Sequence, residues 1–65
     1  MPFVNVRVTP GITTDQCREI VQGITDTLVK VLDKDPEHTH VVIDEVDTSR
    51  WGFSGMLVSD IDPTG

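Results

Sequence analysis

From Cys17 to Leu32 the apolar residues fall on one side of a helix. Cys17, Ile20, Val21, Ile24, Leu28, Val31 and Leu32 follow the i, i+3, i+4, i+7 spacing that lines a single stripe along a 3.6-residue repeat. Arg18, Glu19, Gln22, Asp26 and Lys30 occupy the opposite side. Thr13 followed three residues later by Gln16 is a capping-box pattern, and Asp15 suits the positive end of the helix dipole. Pro36 disfavours helical geometry at the residue before it. The spacing therefore predicts a helix over roughly residues 14 to 33. Gly23, which costs such a helix ~1 kcal/mol relative to Ala, predicts a close approach by a neighbouring element. Cys17, on the stripe, reads as a small core hydrophobe.

A strand pattern flanks this helix on each side. Val4, Val6 and Val8 alternate with Phe3, Asn5 and Arg7, the period-two pattern of a strand with two unlike faces. Thr9-Pro10-Gly11-Ile12-Thr13 is a turn by composition. A second strand is expected over about 39 to 46, centred on Val41-Val42-Ile43. Strand, long helix, strand is a β-α-β unit, with parallel strands and a right-handed crossover. The fold class is α/β (α+β), with a short C-terminal β-hairpin over 50 to 58 built from Trp51-Gly52-Phe53-Ser54-Gly55 and an apolar strand Met56-Leu57-Val58. Residues 59 to 65 read as a loose tail of one 65-residue domain.

Such a chain is short of partners for its own apolar surface. A domain of this size buries only ~60% of the surface its unfolded form exposes. The helix can cover one face of the two strands, whereas the unbroken Val41-Val42-Ile43 run calls for cover on both. One cysteine cannot make an internal disulfide, and no Cys/His set has structural-zinc spacing. A second subunit is the expected cover, with the hairpin docking onto a neighbour. The net charge of −6, from 11 acidic and 5 basic residues, leaves no basic stripe for nucleic acid. No apolar run approaches a membrane span. A single cysteine and the lack of an export signal suit the cytoplasm.

Few residues carry chemistry. Glu37-His38-Thr39-His40 places two imidazoles on one side of a strand, which with Asp35 or Glu37 nearby could hold a divalent metal, although two ligands at loop-to-strand spacing are a weak signal and no metal is assigned. Gly52-Phe53-Ser54-Gly55 misses the spacing of a nucleophile elbow, because Met56 stands where the second glycine belongs. Gly11 alone is no phosphate cradle. Pro2 remains. A methionine before proline is normally removed by methionine aminopeptidase, and the proline then carries a free secondary amine. That amine can serve as a base near neutral pH, since an α-amino group titrates near ~7.7–8.0 and burial or nearby cations lower the value. The plainer alternative is that proline starts an edge strand, where no N–H is needed. Trp51 and Phe53 can form a dry wall; Arg7 and Arg50 can supply positive charge.

In order and spacing, the Pro-led strand, the Gly11 turn, the Thr14-Asp15-Gln16 helix start, the run from Val41 to Glu45 and the Trp51-to-Gly55 loop resemble the tautomerase superfamily, in particular its short members typified by 4-oxalocrotonate tautomerase. The resemblance spans roughly residues 2 to 58. It implies a tautomerase/MIF-like β-α-β subunit assembled as a hexamer, a trimer of dimers, with no cofactor and no metal. It implies an isomerase in which Pro2 is the general base for enol–keto proton transfer on a small unsaturated 2-oxo or 2-hydroxy acid. The family's aromatic pocket residue falls on Trp51. Two family arginines fall on Ile12 and His40, so the substrate-binding set implied here is His40, Arg50, Trp51 and Arg7. A proline-dependent hydratase or dehalogenase, with Asp44 or Glu45 activating water, is a second expectation. A non-catalytic subunit of a hetero-oligomer is a third.

Overall fold

The computed structural model describes residues 2–61 of the chain. Strand β1 (Phe3–Val8) leads through the residue 9–13 turn into helix α1 (Thr14–Leu32), which is followed by a 3₁₀ turn (Pro36–His38) and strand β2 (His40–Glu45). The helix starts as the capping box requires: the Thr13 hydroxyl accepts the Gln16 N–H at 3.1 Å, and the Gln16 side chain accepts the Thr13 N–H at 2.9 Å. It ends one residue earlier than expected. Asp33 takes the left-handed conformation (φ 54°, ψ 42°) and its N–H closes back onto Leu28 and Val29, a C-terminal cap more often built with glycine.

β1 and β2 pair in parallel, with Phe3 opposite His40 and Val8 opposite Glu45. The His40 N–H to the Pro2 carbonyl (3.1 Å) and the Val46 N–H to the Val8 carbonyl (2.8 Å) extend the ladder at its two ends. Alternation divides the sheet. Val4, Val6, Val8, Val41 and Ile43 are half-buried on the face that α1 covers; Phe3, Asn5, Arg7, His40, Val42 and Asp44 stand exposed on the other. From α1, Cys17, Ile20, Ile24 and Leu28 are half-buried, whereas Val21, Val31 and Leu32 of the same stripe remain exposed. Cys17 thus joins the apolar contact layer, but not a sealed core. The close approach expected at Gly23 is not found within the chain. A Cβ there would meet nothing within 4 Å, and its carbonyl instead accepts the Thr27 hydroxyl at 2.9 Å.

The hairpin is shorter than predicted. A 3₁₀ turn (Thr48–Arg50) precedes β3 (Gly52–Phe53), which pairs antiparallel with β4 (Met56–Leu57). Ser54 (φ 53°) and Gly55 (φ 75°) form the two-residue connection, and paired positive φ values match the twist of a tight hairpin. Val58, expected in the strand, instead opens a single helical turn, α2 (Val58–Ile61). Its N–H bonds the Trp51 carbonyl at 2.8 Å. Residues 59 to 61 of the expected tail are therefore helical, while 62 to 65 lie outside the described residues. None of the described helices is long and apolar enough to cross a membrane.

One quantity governs the energetics: among the described residues none is buried. The chain is flat, 42 × 25 × 15 Å, with a radius of gyration of 14.8 Å, against about 10.7 Å for a compact domain of this length. It exposes 4975 Å², where a folded monomer of this mass exposes about 4,100 Å². Phe3 (67% exposed) and Phe53 (56%) both face outward. Apolar burial drives folding at roughly 25 cal/mol per Å², and a lone chain forgoes much of it. We expect the thermal unfolding midpoint, followed by circular dichroism, to rise with protein concentration. Val42→Lys should lower it sharply and shift the native mass toward monomer. A midpoint independent of concentration would show that the chain stands alone.

Candidate active site

The strand ladder sorts the predicted site residues into two groups. Pro2 and His40 lie at the start of β1 and β2, tied together by the His40 N–H that the Pro2 carbonyl accepts. Pro2 is half-buried and His40 is exposed. Arg7, Arg50 and Trp51 meet at the other end, where with Val46 and Gly52 they line a cleft of about 270 Å³. Arg7 lies five residue steps along the extended chain from Pro2, about 16 Å at the rise of a strand. The single chain does not bring the expected base and the expected cations together.

Each wall of the cleft has a local cause. Arg7 is held on β1 by alternation, on the face away from α1. Arg50 closes the 3₁₀ turn, which Asp47 caps: its carboxylate accepts both the Ser49 N–H and the Ser49 hydroxyl at 2.8 Å. The Arg50 N–H bonds the Asp47 carbonyl at 2.8 Å. Trp51, half-buried, follows in extended geometry. Gly52 lets the hairpin close tightly: a Cβ there would lie 3.2 Å from the Met56 carbonyl oxygen, which would have to give by a few tenths of an ångström.

The electrostatics single the cleft out. Among the described residues Arg18 pairs with Asp15, and the His38 imidazole lies 3.8 Å from Asp35. Arg7 and Arg50 have no carboxylate partner there, although acidic residues outnumber basic ones 11 to 5. Two guanidinium groups beside an indole are a set that can take a planar anion, since guanidinium forks match carboxylate oxygens and an indole ring offers an apolar wall. The two positions where the resemblance places arginine lie apart. Ile12 is half-buried in the turn after β1, toward the cleft end, and His40 sits at the Pro2 end.

Of the two carboxylates expected to activate water, Glu45 accepts the Gly11 N–H at 3.4 Å and holds the turn after β1. Asp44 accepts from the Asn5 amide at 2.8 Å, and the same amide accepts the Arg7 Nε–H at 3.0 Å. Sequence reasoning did not single out Asn5. Alternation puts it on the Arg7 face, but its link to Asp44, 39 residues away, depends on strand register. His38 turns to Asp35 at 3.8 Å rather than to His40, and among the described residues no three His, Cys, Asp or Glu side chains gather.

The Ser49 backbone N–H and then the Ser49 hydroxyl hold the Asp47 carboxyl below its ordinary value of 3.8, against an opposing effect of desolvation, with a lesser contribution from the Arg50 charge. A carboxyl whose folded pKa is depressed adds order that is complete above the unfolded value and is lost as pH falls through the folded one. The Asp47 carboxyl should thus titrate below 3.8 by nuclear magnetic resonance, with the Ser49 amide resonance moving alongside it. In Asp47→Ala the Ser49 amide should exchange several-fold faster at neutral pH. An unchanged rate would mean that the cap does not hold the Arg50 turn.

The sequence and the fold both have known relatives. The family model described as "Tautomerase enzyme" matches residues 2–61. The probable tautomerase K2 of Dickeya dadantii is 46% identical over 61 residues, covering 92% of this chain and 91% of that protein. The solved structure of DmpI from Helicobacter pylori superposes with a TM-score of 0.90 at 34% identity, over 98% of this chain and 100% of that one. A heterohexamer 4-oxalocrotonate tautomerase from Chloroflexus aurantiacus shares the fold, with a TM-score of 0.84 at 18% identity over 94% of this chain and 98% of that one. With a β-α-β subunit, parallel strands and a C-terminal hairpin in common, the chain belongs to the tautomerase family.

Proposed function

We propose that the chain is a cytoplasmic isomerase of small unsaturated 2-oxo or 2-hydroxy acids, with Pro2 as the general base once Met1 has been removed. The observation that carries this reading is the cleft. In a chain of net charge −6, Arg7 and Arg50 line one cleft beside Trp51 with no carboxylate partner among the described residues. The family match beginning at Pro2 supports the choice of base.

The chemistry follows from these groups. A free proline nitrogen takes the enol hydroxyl proton and returns a proton to the conjugated carbon, so the double bond moves and no net charge is lost. A base must be neutral to do this, and apolar walls and nearby guanidinium groups both disfavour the ammonium form. Arg50 and Arg7 hold the carboxylate and stabilise the charge that spreads over the dienolate oxygens. Trp51 excludes water. His40, beside Pro2, offers a hydrogen bond to the substrate oxygen.

At about 16 Å along the strand, Pro2 and the cleft of one copy cannot serve one small acid. The working site then takes Pro2 and His40 from one copy and Arg7, Arg50 and Trp51 from another, within a hexamer of like chains or of two kinds. That the fold is compatible with a mixed assembly is supported by the Chloroflexus aurantiacus heterohexamer.

Intact mass of the protein from its own host should lack one methionine. Pro2→Ala should slow the ketonisation of phenylenolpyruvate or 2-hydroxymuconate, followed in the ultraviolet, by about 10²-fold or more, and the wild-type rate should fall as acid protonates the amine. Equal rates in Pro2→Ala and wild type, or full activity in a protein that keeps Met1, would overturn the assignment.

A further inference from the structure

The register of the sheet sets a trap for the cleft. Arg7 and Asp44 are direct partners across the parallel pair, and both point away from α1. Opposite charges facing each other across a ladder ordinarily pair. Here no direct ion pair joins them. The Asn5 amide stands between, accepting the Arg7 Nε–H at 3.0 Å on its oxygen and donating from its nitrogen to Asp44 Oδ2 at 2.8 Å. The same nitrogen reaches the Val42 carbonyl at 3.3 Å, which anchors the amide to the neighbouring strand.

The orientation of that amide admits one assignment. A guanidinium only donates and a carboxylate only accepts, so the oxygen must face Arg7 and the nitrogen Asp44. No charged or aliphatic side chain of this length does both jobs. We propose that Asn5 is a positioning residue. It holds Asp44 away from Arg7, so that the guanidinium keeps its terminal N–H groups for the anion in the cleft. This inference rests on the reading that Arg7 binds the substrate carboxylate.

Removing the amide frees the two charges to meet. In Asn5→Ala, Asp44 competes with the ligand for Arg7, and KM for phenylenolpyruvate should rise about fivefold while kcat holds. Taking away the competitor as well, in Asn5→Ala/Asp44→Ala, should return KM to within about twofold of wild type. A purely structural role for Asn5 predicts no such rescue. The Arg7 Nε–H resonance provides a reading independent of turnover: it loses its Asn5 acceptor in both variants, so it should move in both, and it should differ between them because only Asn5→Ala leaves Asp44 free to take the amide's place. Native mass should be unchanged throughout.

Arg7→Ala separates a failure of the shielding role from a failure of the function beneath it. If Arg7→Ala leaves KM unaltered, Arg7 does not bind the carboxylate and the functional reading of the cleft falls. If Arg7→Ala raises KM but Asn5→Ala does not, the shielding role alone is overturned. It is overturned equally if Asn5→Ala raises KM and the double variant fails to recover.

Discussion

The parallel pairing from Phe3–His40 to Val8–Glu45 is the constraint on which the remaining geometry depends. It is set by side chains on one face only: Val4, Val6 and Val8 beside Val41 and Ile43, packed under Ile20, Ile24 and Leu28 of α1. A slip of one residue would turn these valines to solvent and bring Asn5 and Arg7 under the helix. That penalty fixes the register, and the register then places polar groups that contribute little to it. Pro2 is fastened to His40 at one end. Arg7 is placed across from Asp44 at the other, next to the turn that carries Arg50.

The helix face and the open face have different energetic roles. Contacts beneath α1 define the subunit's topology but seal no residue from solvent. The stability of a small domain is the slight remainder of large opposing terms, so apolar surface left uncovered on this scale matters. Phe3, Val42, Phe53, Met56, Leu57 and Ile61 extend along the outside of the chain from the strand start to the last helical turn. If other copies cover them, as proposed, folding and assembly become one reaction.

Much of the fold was legible in the sequence because its signals are local. The helix could be read from its apolar stripe and from Thr13 and Gln16, which make the bonds their spacing implies. The strand order followed from one helix lying between two apolar runs. Val58 was misplaced for a local reason too: Met56-Leu57-Val58 is three apolar residues long, and so short a run fits a strand or the start of a helical turn equally well. Gly23, by its cost to a helix, points to close packing, yet nothing in the chain would meet a Cβ there within 4 Å. The site was less legible. Arg7, Arg50 and Trp51 could be named from residue type, but their separation from Pro2 is a length along a strand, and the Asn5–Asp44 link is a matter of register. Neither is written in any short segment.

The departures at Ile12 and His40 can be understood in the same terms. A cation that binds a carboxylate has to be in the right place with its charge uncancelled; the element that carries it is secondary. Arg7 comes from a strand held by its ladder, and Arg50 from a turn held by the Asp47 carboxylate, so both guanidinium groups start from fixed backbone. Because β1 also carries Pro2, the strand that fixes Arg7 relative to the Pro2 of its own chain also keeps the two apart, by about 16 Å. If base and cation act on one substrate molecule, they come from different copies. Assembly then does more than cover apolar surface: it creates the catalytic unit, and whatever changes the contact between copies changes the chemistry with it.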